Sequence, residues 1–234
     1  MDMLFFSKPL IIAHRGASGY EPENTLRAFQ RALEMGASMV ELDVFQCASG
    51  EIMVMHDDTI NRTTNGTGYI KQLTYDDLKK FDAGKGEHIP LLSQVFDLID
   101  KRALINIELK DRDVIKPVAN LIKYHMEKKS WSSDFFIVSS FDPVFLQEFH
   151  NYCPSIKTGI IVEYNHQDIF EIAKQTHSSY LIVPSHTVTE ELLVDARVHG
   201  LQVFTYTVNT VSEAQRLAKL GVDGIITDYP DILV

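Results

Sequence analysis

Cysteine is nearly absent from this chain: of 234 residues only Cys47 and Cys153 carry thiols, far apart and outside any C-x-x-C spacing. That excludes a disulfide framework and a zinc–cysteine site, and it fits reduced, core-type thiols in a reducing compartment. Long apolar runs are missing as well. None approaches the roughly 18 residues that span a bilayer, and the opening MDMLFFSKPLII lacks the basic start and small-residue cleavage site of a signal peptide. A cytoplasmic location is therefore expected. Basic residues are outnumbered, with Lys+Arg at 22 against Asp+Glu at 32 and a formal net charge of -10. A field of that sign repels phosphate backbones and anionic membrane surfaces, so neither nucleic acid nor a stable membrane association is expected. Linkers, charge blocks and low-complexity tracts are also lacking, so residues 1–234 read as one domain. Nothing in the chain marks its oligomeric state.

What is present is an alternation. The 45% of hydrophobic residues fall into short β-rich segments, each followed by a segment with helical apolar spacing, the pattern of parallel strands joined by crossover helices. Strands are expected at Leu10–His14, Met39–Val44, Ala103–Leu109, Phe135–Ser139, Lys157–Val162, Tyr180–Val183, Gln202–Thr207 and Gly224–Thr227. Helices are expected at Thr25–Met35, Leu91–Ile99, Val114–Met126, Pro143–Tyr152, Asp168–Gln175 and Glu190–His199, with a last one opened by Ser212 in a capping box with Gln215 and stopped by Gly221. Eight parallel strands close a (β/α)8 barrel. The rival, an open doubly wound sheet, would carry a G-x-G-x-x-G first turn, which Gly16-Ala17-Ser18-Gly19 does not match. One interruption stands out: Phe45–Gln46 and Ile52–Met55 flank the turn-prone Ala48-Ser49-Gly50 and predict a hairpin extending strand two. Centring its turn between Ser49 and Gly50 sets His56 across from Asp43. The following stretch to Pro90 is expected to stand over the C-terminal end of the barrel.

Reacting groups in such barrels gather at the C-terminal ends of the strands. Here strand one ends in His14-Arg15, strand two carries Glu41 and Asp43, the hairpin delivers His56-Asp57, and strand three ends with Asn106, Glu108 and Lys110. Period-two geometry places Glu41 and Asp43 on one face and Val40, Leu42 and Val44 on the other, and it sorts strand three likewise. The charges therefore point into the barrel. Glu41, Asp43 and Glu108 would repel one another unless a cation compensates, and three oxygen ligands suit Mg²⁺ or Ca²⁺. Arg15 and Lys110 beside them form a phosphate clamp. Because the unperturbed pKa of an imidazole is about 6.5, His14 and His56 can serve one as base and one as acid. A Glu-x-Asp pair with Arg15 and Lys110 is, by itself, equally a structural ion-pair network, and a lone strand-end histidine is more often structural. Convergence of the whole set points to chemistry. His88, His125, His150, His166, His177, His186 and His199 have no such company and read as surface or packing residues.

The same residues sit in a series of motifs. Ala13-His14-Arg15-Gly16 is followed by Pro22-Glu23-Asn24-Thr25, then Glu41-Leu42-Asp43-Val44, His56-Asp57 and Arg62-Thr63-Thr64. Later come Ile89-Pro90, Ile107-Glu108-Leu109-Lys110, Ser140-Phe141-Asp142, Tyr206-Thr207-Val208-Asn209 and the run from Gly221 to Pro230. In order and approximate spacing this series resembles the glycerophosphodiester phosphodiesterase family, relatives of bacterial phosphatidylinositol phospholipase C, nearly end to end. The resemblance implies a metal-dependent hydrolase that cleaves a small glycerophosphodiester to glycerol 3-phosphate and an alcohol. It implies Glu41, Asp43 and Glu108 as ligands, His14 and His56 as acid and base, and residues 57–90 as the family's cap. It also favours attack by the substrate's own 2-hydroxyl through a cyclic phosphate. Two positions depart from the family pattern: Tyr206 stands where relatives usually carry Trp, and Pro90-Leu91-Leu92-Ser93-Gln94 lacks an acidic residue common there. Tyr206, opposite Phe141, is expected to face the glycerol moiety or leaving group and shape the alcohol pocket. Two other readings stand beside this one. A non-catalytic glycerophosphodiester-binding barrel would retain the clamp without a catalytic histidine, and a lysophospholipase D-like enzyme would want an apolar, membrane-facing rim.

Overall fold

The structure, a computed structural model, describes residues 8–163 and 168–233. His166 and the first seven residues of the N-terminal stretch lie outside the described residues. Strands β1 (Leu10–His14), β2 (Met39–Gln46), β4 (Leu104–Leu109), β5 (Phe136–Ser140), β6 (Lys157–Ile161), β7 (Ser178–Pro184), β8 (Gln202–Tyr206) and β9 (Gly224–Thr227) pair in parallel in that order. β9 returns to β1 and β1 also pairs with β2, so the sheet closes on itself. Helices α1 (Leu26–Glu34), α3 (Leu92–Ile99), α4 (Ile115–Lys128), α5 (Pro143–Tyr152), α6 (Ile169–Gln175), α7 (Glu190–Val198) and α8 (Val211–Leu220) form the crossovers. This is the (β/α)8 barrel that the alternation implied. Among the described residues no helix is long and apolar enough to cross a membrane.

Local chemistry starts and stops the helices. The Thr25 side chain accepts the Ala28 N–H at the start of α1, and Asp142 accepts Val144 N–H before Pro143 opens α5. α8 begins earlier than its sequence suggested. Thr210, and not Ser212, caps it by accepting the Glu213 N–H, so Ser212 and Gln215 lie inside the helix and form no capping box. Gly221 ends it in the left-handed conformation as expected.

Alternation along the strands divides the core in two. Ile12, Met39, Ile137, Tyr180, Ile182, Phe204 and Ile226 fill the inside of the barrel. Val40, Leu42, Val44, Ile105, Ile107 and Leu109 face outward into the layer under the helices. The interior is apolar on that floor and turns polar toward the strand ends, where Glu41, Asp43, Asn106 and Glu108 are all buried.

Strand β3 (Ile52–Val54) pairs antiparallel with β2 and makes the expected hairpin, but one residue off the expected register. Val44 pairs with Val54, and the Met55 N–H reaches the Asp43 carbonyl at 2.9 Å, so Met55 and not His56 stands across from Asp43. The turn closes through Gly50 N–H to Cys47 O (3.0 Å), which centres it one position earlier than the symmetrical reading around Ser49 and Gly50. Between β3 and α3 the chain forms a short 3-10 turn at Ile70–Gln72 and helix α2 (Tyr75–Leu78). It packs Ile60, Ile70, Leu78, Ala83 and Ile89 against Phe45, Met53 and Met55 of the hairpin.

Candidate active site

The C-terminal mouth of the barrel holds a cavity of about 170 Å³ lined by His14, Arg15, Glu41, His56, Asn106, Glu108, Phe141, Tyr206 and apolar residues of the barrel interior. At its wall, Glu41, Asp43 and Glu108 each place a carboxylate oxygen within 4.8 Å of the others. Adjacent parallel strands explain this: Asp43 pairs with Glu108 and Glu41 with Asn106 across β2 and β4.

Cations compensate this centre unevenly. Lys110 Nζ lies 2.7 Å from Glu108 and 3.6 Å from Asp43, and Arg15 Nε lies 3.4 Å from Asp43. Asp43 also accepts the Asn24 amide at 3.0 Å. Glu41 accepts only the Arg15 backbone N–H, at 3.1 Å, among the described residues. Burial, then the Asp43 and Glu108 charges, hold the Glu41 carboxyl well above its ordinary range. Burial and Asp43 likewise push Glu108 up to about 7 against the pull of Lys110. Burial works against the charge on Lys110 and Arg15, but the carboxylates override it and both pKa values rise. Fully ionised, the three carboxylates would outnumber the two cations, one of which, Arg15, is shared with Glu23 at 2.8 Å, and the buried Asn106 Oδ1 beside them has no hydrogen-bond partner. An oxygen-only donor set with an orphaned fourth oxygen fits a hard divalent cation.

Arg15 owes its place to backbone geometry. Its φ of 56° lies in the left-handed region, which turns its N–H toward Glu41, and Gly16 follows at 81°. A Cβ on Gly16 would sit 2.6 Å from the Ala28 carbonyl carbon, so only glycine lets this turn lie against α1.

Each imidazole is backed by an aspartate. His14 Nδ1 lies 2.7 Å from Asp228 Oδ1, and Asp228 also accepts from Ser18 Oγ (2.9 Å) and Asn209 Nδ2 (2.6 Å). Burial raises the Asp228 carboxyl, but its bond to His14 and the other donors outweigh that and bring it below its usual range. His56 Nδ1 lies 2.6 Å from Asp57 Oδ1. Burial lowers the His56 pKa, only partly offset by Asp43 and Asp57.

Phe141 and Tyr206 face each other across the mouth, ring centroids 6.4 Å apart and edge-on. The Tyr206 hydroxyl donates to the Val162 carbonyl at 2.8 Å, and burial pushes the phenol up to about 12. Lys110 Nζ lies 5.9 Å from the Phe141 centroid and does not line the cavity; it lines a neighbouring hollow with Phe45, Asp58, Tyr69 and Lys71.

The structure thus gathers His14, Arg15, Glu41, Asp43, His56, Glu108, Lys110, Phe141 and Tyr206 at one end of the barrel. It adds Asn106, expected on the inner face of its strand but with no role, and Asn24, Asp57, Glu23, Arg62 and Asp228, which lie within the motifs but have no expected role there. The period-two relation to Glu108 puts Asn106 inside the barrel, and adjacency to His56 is the signal for Asp57. Among the described residues the other histidines stay apart: His125 is buried against Phe96 and Trp131, His150 stacks on His177, and His199 stacks on Phe170.

A closed (β/α)8 barrel with a carboxylate centre, a guanidinium and two aspartate-backed imidazoles at its C-terminal mouth defines a barrel hydrolase built for an anionic phosphate ester. The model of the glycerophosphoryl diester phosphodiesterase family matches residues 14–232. The chain belongs to that family. A glycerophosphodiester phosphodiesterase of Caldanaerobacter subterraneus is 37% identical over 241 residues, covering 97% of each chain. One from Bacillus subtilis is 33% identical over 260 residues, covering 99% of this chain and 87% of that one. Among solved structures, an Oleispira antarctica phosphodiesterase in complex with the product sn-glycerol-3-phosphate matches with a TM-score of 0.87 at 29% identity, covering 96% of this chain and 94% of that one.

Proposed function

We propose that this protein hydrolyses glycerophosphodiesters to glycerol 3-phosphate and an alcohol, with one divalent ion, Mg²⁺ or Ca²⁺, held by Glu41, Asp43 and Glu108 and with His14 and His56 as the acid–base pair. The observation that carries this reading is the single cavity lined by both imidazoles, Arg15 and two of the three clustered carboxylates. When bound, the ion supplies positive charge to the phosphoryl oxygens. Arg15 adds a guanidinium at the same place, and Lys110 neutralises Glu108 and Asp43 from behind. His56, whose pKa burial lowers, is neutral at pH 7 and acts as the base. It takes the proton of the glycerol 2-hydroxyl, whose oxygen attacks phosphorus with the advantage of an internal nucleophile. The bond from phosphorus to the alcohol oxygen breaks as His14 delivers its proton to that oxygen. Water then opens the cyclic ester with the roles exchanged: His14 takes the water proton and His56 returns one to the 2-oxygen. Asp228 and Asp57 hold the two rings through Nδ1, leaving Nε2 of each for the reaction.

Phe141 and Tyr206 flank the alcohol pocket in this reading, and residues 57–90 act as a cap that carries Asp57 behind His56. Both cysteines are buried and free, which supports a reducing, cytoplasmic setting. The test is direct. Chelator-stripped protein is given several glycerophosphodiesters with and without Mg²⁺ or Ca²⁺, and released glycerol 3-phosphate is measured. Release only with a divalent ion is expected; full turnover in excess chelator refutes the metal role, and no release from any diester refutes the reaction.

A further inference from the structure

Arg62 lies in the segment after β3 and does not line the cavity, yet it is bonded to both sides of it. Its Nε and Nη2 donate to the two Asp57 carboxylate oxygens at 2.8 and 3.0 Å. Its Nη1 and Nη2 donate to the two Glu23 oxygens at 2.7 and 2.9 Å. Asp57 in turn accepts from His56 Nδ1 at 2.6 Å, and Glu23 accepts from Arg15 Nη1 at 2.8 Å. The result is an unbroken line, His56–Asp57–Arg62–Glu23–Arg15, whose ends come from the hairpin and from the turn after β1.

We propose that Arg62 is a positioning residue that sets His56 and Arg15 in a fixed relation to one phosphate, with Asp57 and Glu23 as its two arms. The proposal rests on the reading of His56 and Arg15 given above. Its physical basis is the planar guanidinium, which can grip two carboxylates bidentately at once; an ammonium is a point charge and cannot. Stability is a poor explanation for the arrangement. The Arg62 side chain is 46% exposed, and ion pairs at that exposure contribute little to folding. The insertion has other attachments that avoid this line: Lys71 pairs with Asp111 at 2.5 Å and Asp113 at 3.2 Å, and Lys85 with Glu21 at 2.8 Å. Arg62 alone among these reaches both a histidine-backing and an arginine-backing carboxylate.

The experiment compares Arg62→Met, Arg62→Gln, Arg62→Lys and the control Lys71→Met in the full chain, with melting curves to establish folding. Loss of the guanidinium releases the base and the phosphate-binding cation together, so kcat should fall and KM rise, lowering kcat/KM by about 10- to 100-fold. Arg62→Lys should recover little of this, and Lys71→Met should match wild type in both constants. Asp57→Asn and Glu23→Gln should be non-additive with Arg62 present and additive in the Arg62→Met or Arg62→Gln background. ¹⁵N spectra of His56 supply a readout free of turnover: an Nδ1–H tautomer in wild type and a mixture in the Arg62 variants. Wild-type kcat and KM in Arg62→Gln, equal losses in Lys71→Met, or additivity with Arg62 present would overturn the proposal. Absence of wild-type turnover on any diester would instead defeat the functional reading, and an unchanged His56 tautomer would still overturn the role of Arg62.

Discussion

Replacing Asp228 by Asn tests the His14 arm of the site almost without changing shape. Asp228 accepts hydrogen bonds on both oxygens: Oδ1 from His14 and Ser18, Oδ2 from Asn209. A carboxylate can do so, but an amide accepts on one side only. If the new amide oxygen faces His14, its NH₂ meets the NH₂ of Asn209. Asn209 cannot turn over without losing the Asp228 backbone N–H, which its Oδ1 accepts at 3.0 Å. If the NH₂ faces His14 instead, the ring must give up its Nδ1–H and can no longer form the imidazolium that delivers a proton from Nε2. Either way a charge-assisted hydrogen bond of about 1.5–3 kcal/mol is lost behind the imidazole, equivalent to roughly a 10- to 150-fold loss in rate. Steady-state release of glycerol 3-phosphate from a soluble diester should show that loss in kcat, with metal affinity by calorimetry unchanged. An Asp228→Asn enzyme with wild-type kcat would show that this carboxylate does not control His14.

Further outcomes follow from the same geometry. Glu41→Gln and Glu108→Gln should each cripple binding of a divalent ion and turnover, and a folded variant titrating with the metal as wild type does would remove that residue from the centre. Because the His56 pKa is depressed by burial, activity that needs the neutral ring persists as pH falls past about 6.5 and is lost only below it; an acidic limb of kcat/KM above that value would be contrary. Glu41 and Glu108 are shifted the other way, so the stability each contributes is full below the ordinary carboxylate range and lost as pH rises through its raised pKa, about 7 for Glu108. Chelated protein should therefore gain more in melting temperature from added Mg²⁺ or Ca²⁺ at pH 8 than at pH 5, and equal gains would contradict the shifts. Tyr206→Trp should alter relative kcat/KM among diesters with small and bulky alcohols while cleavage continues, because the Tyr206 hydroxyl is already engaged by the Val162 carbonyl; identical relative values would make this position packing alone.

What the sequence by itself determined was local and periodic. Residues two apart on a strand share a face whatever the surroundings, so the pattern alone puts Glu41 with Asp43, and Asn106 with Glu108, in the barrel interior. The alternation of strand and helix likewise yields the barrel, since parallel neighbours require crossovers. Spacing fared worse where one residue matters. The hairpin turn is a single position from its symmetrical reading, and a one-residue slip changes every cross-strand partner, which is why Met55 replaced His56 opposite Asp43. Tertiary structure alone decided the partners behind the candidate site residues. Asp228 stands 214 residues from His14 in the chain, and they meet only because β9 closes the barrel against β1. Glu23, Asp57 and Arg62 come from the loop before α1 and from the segment between β3 and α2, and no periodicity relates them. A hydrogen-bond network between loops is fixed by where closure of the sheet carries their ends, and that information lies in the whole fold and not in any stretch of the chain.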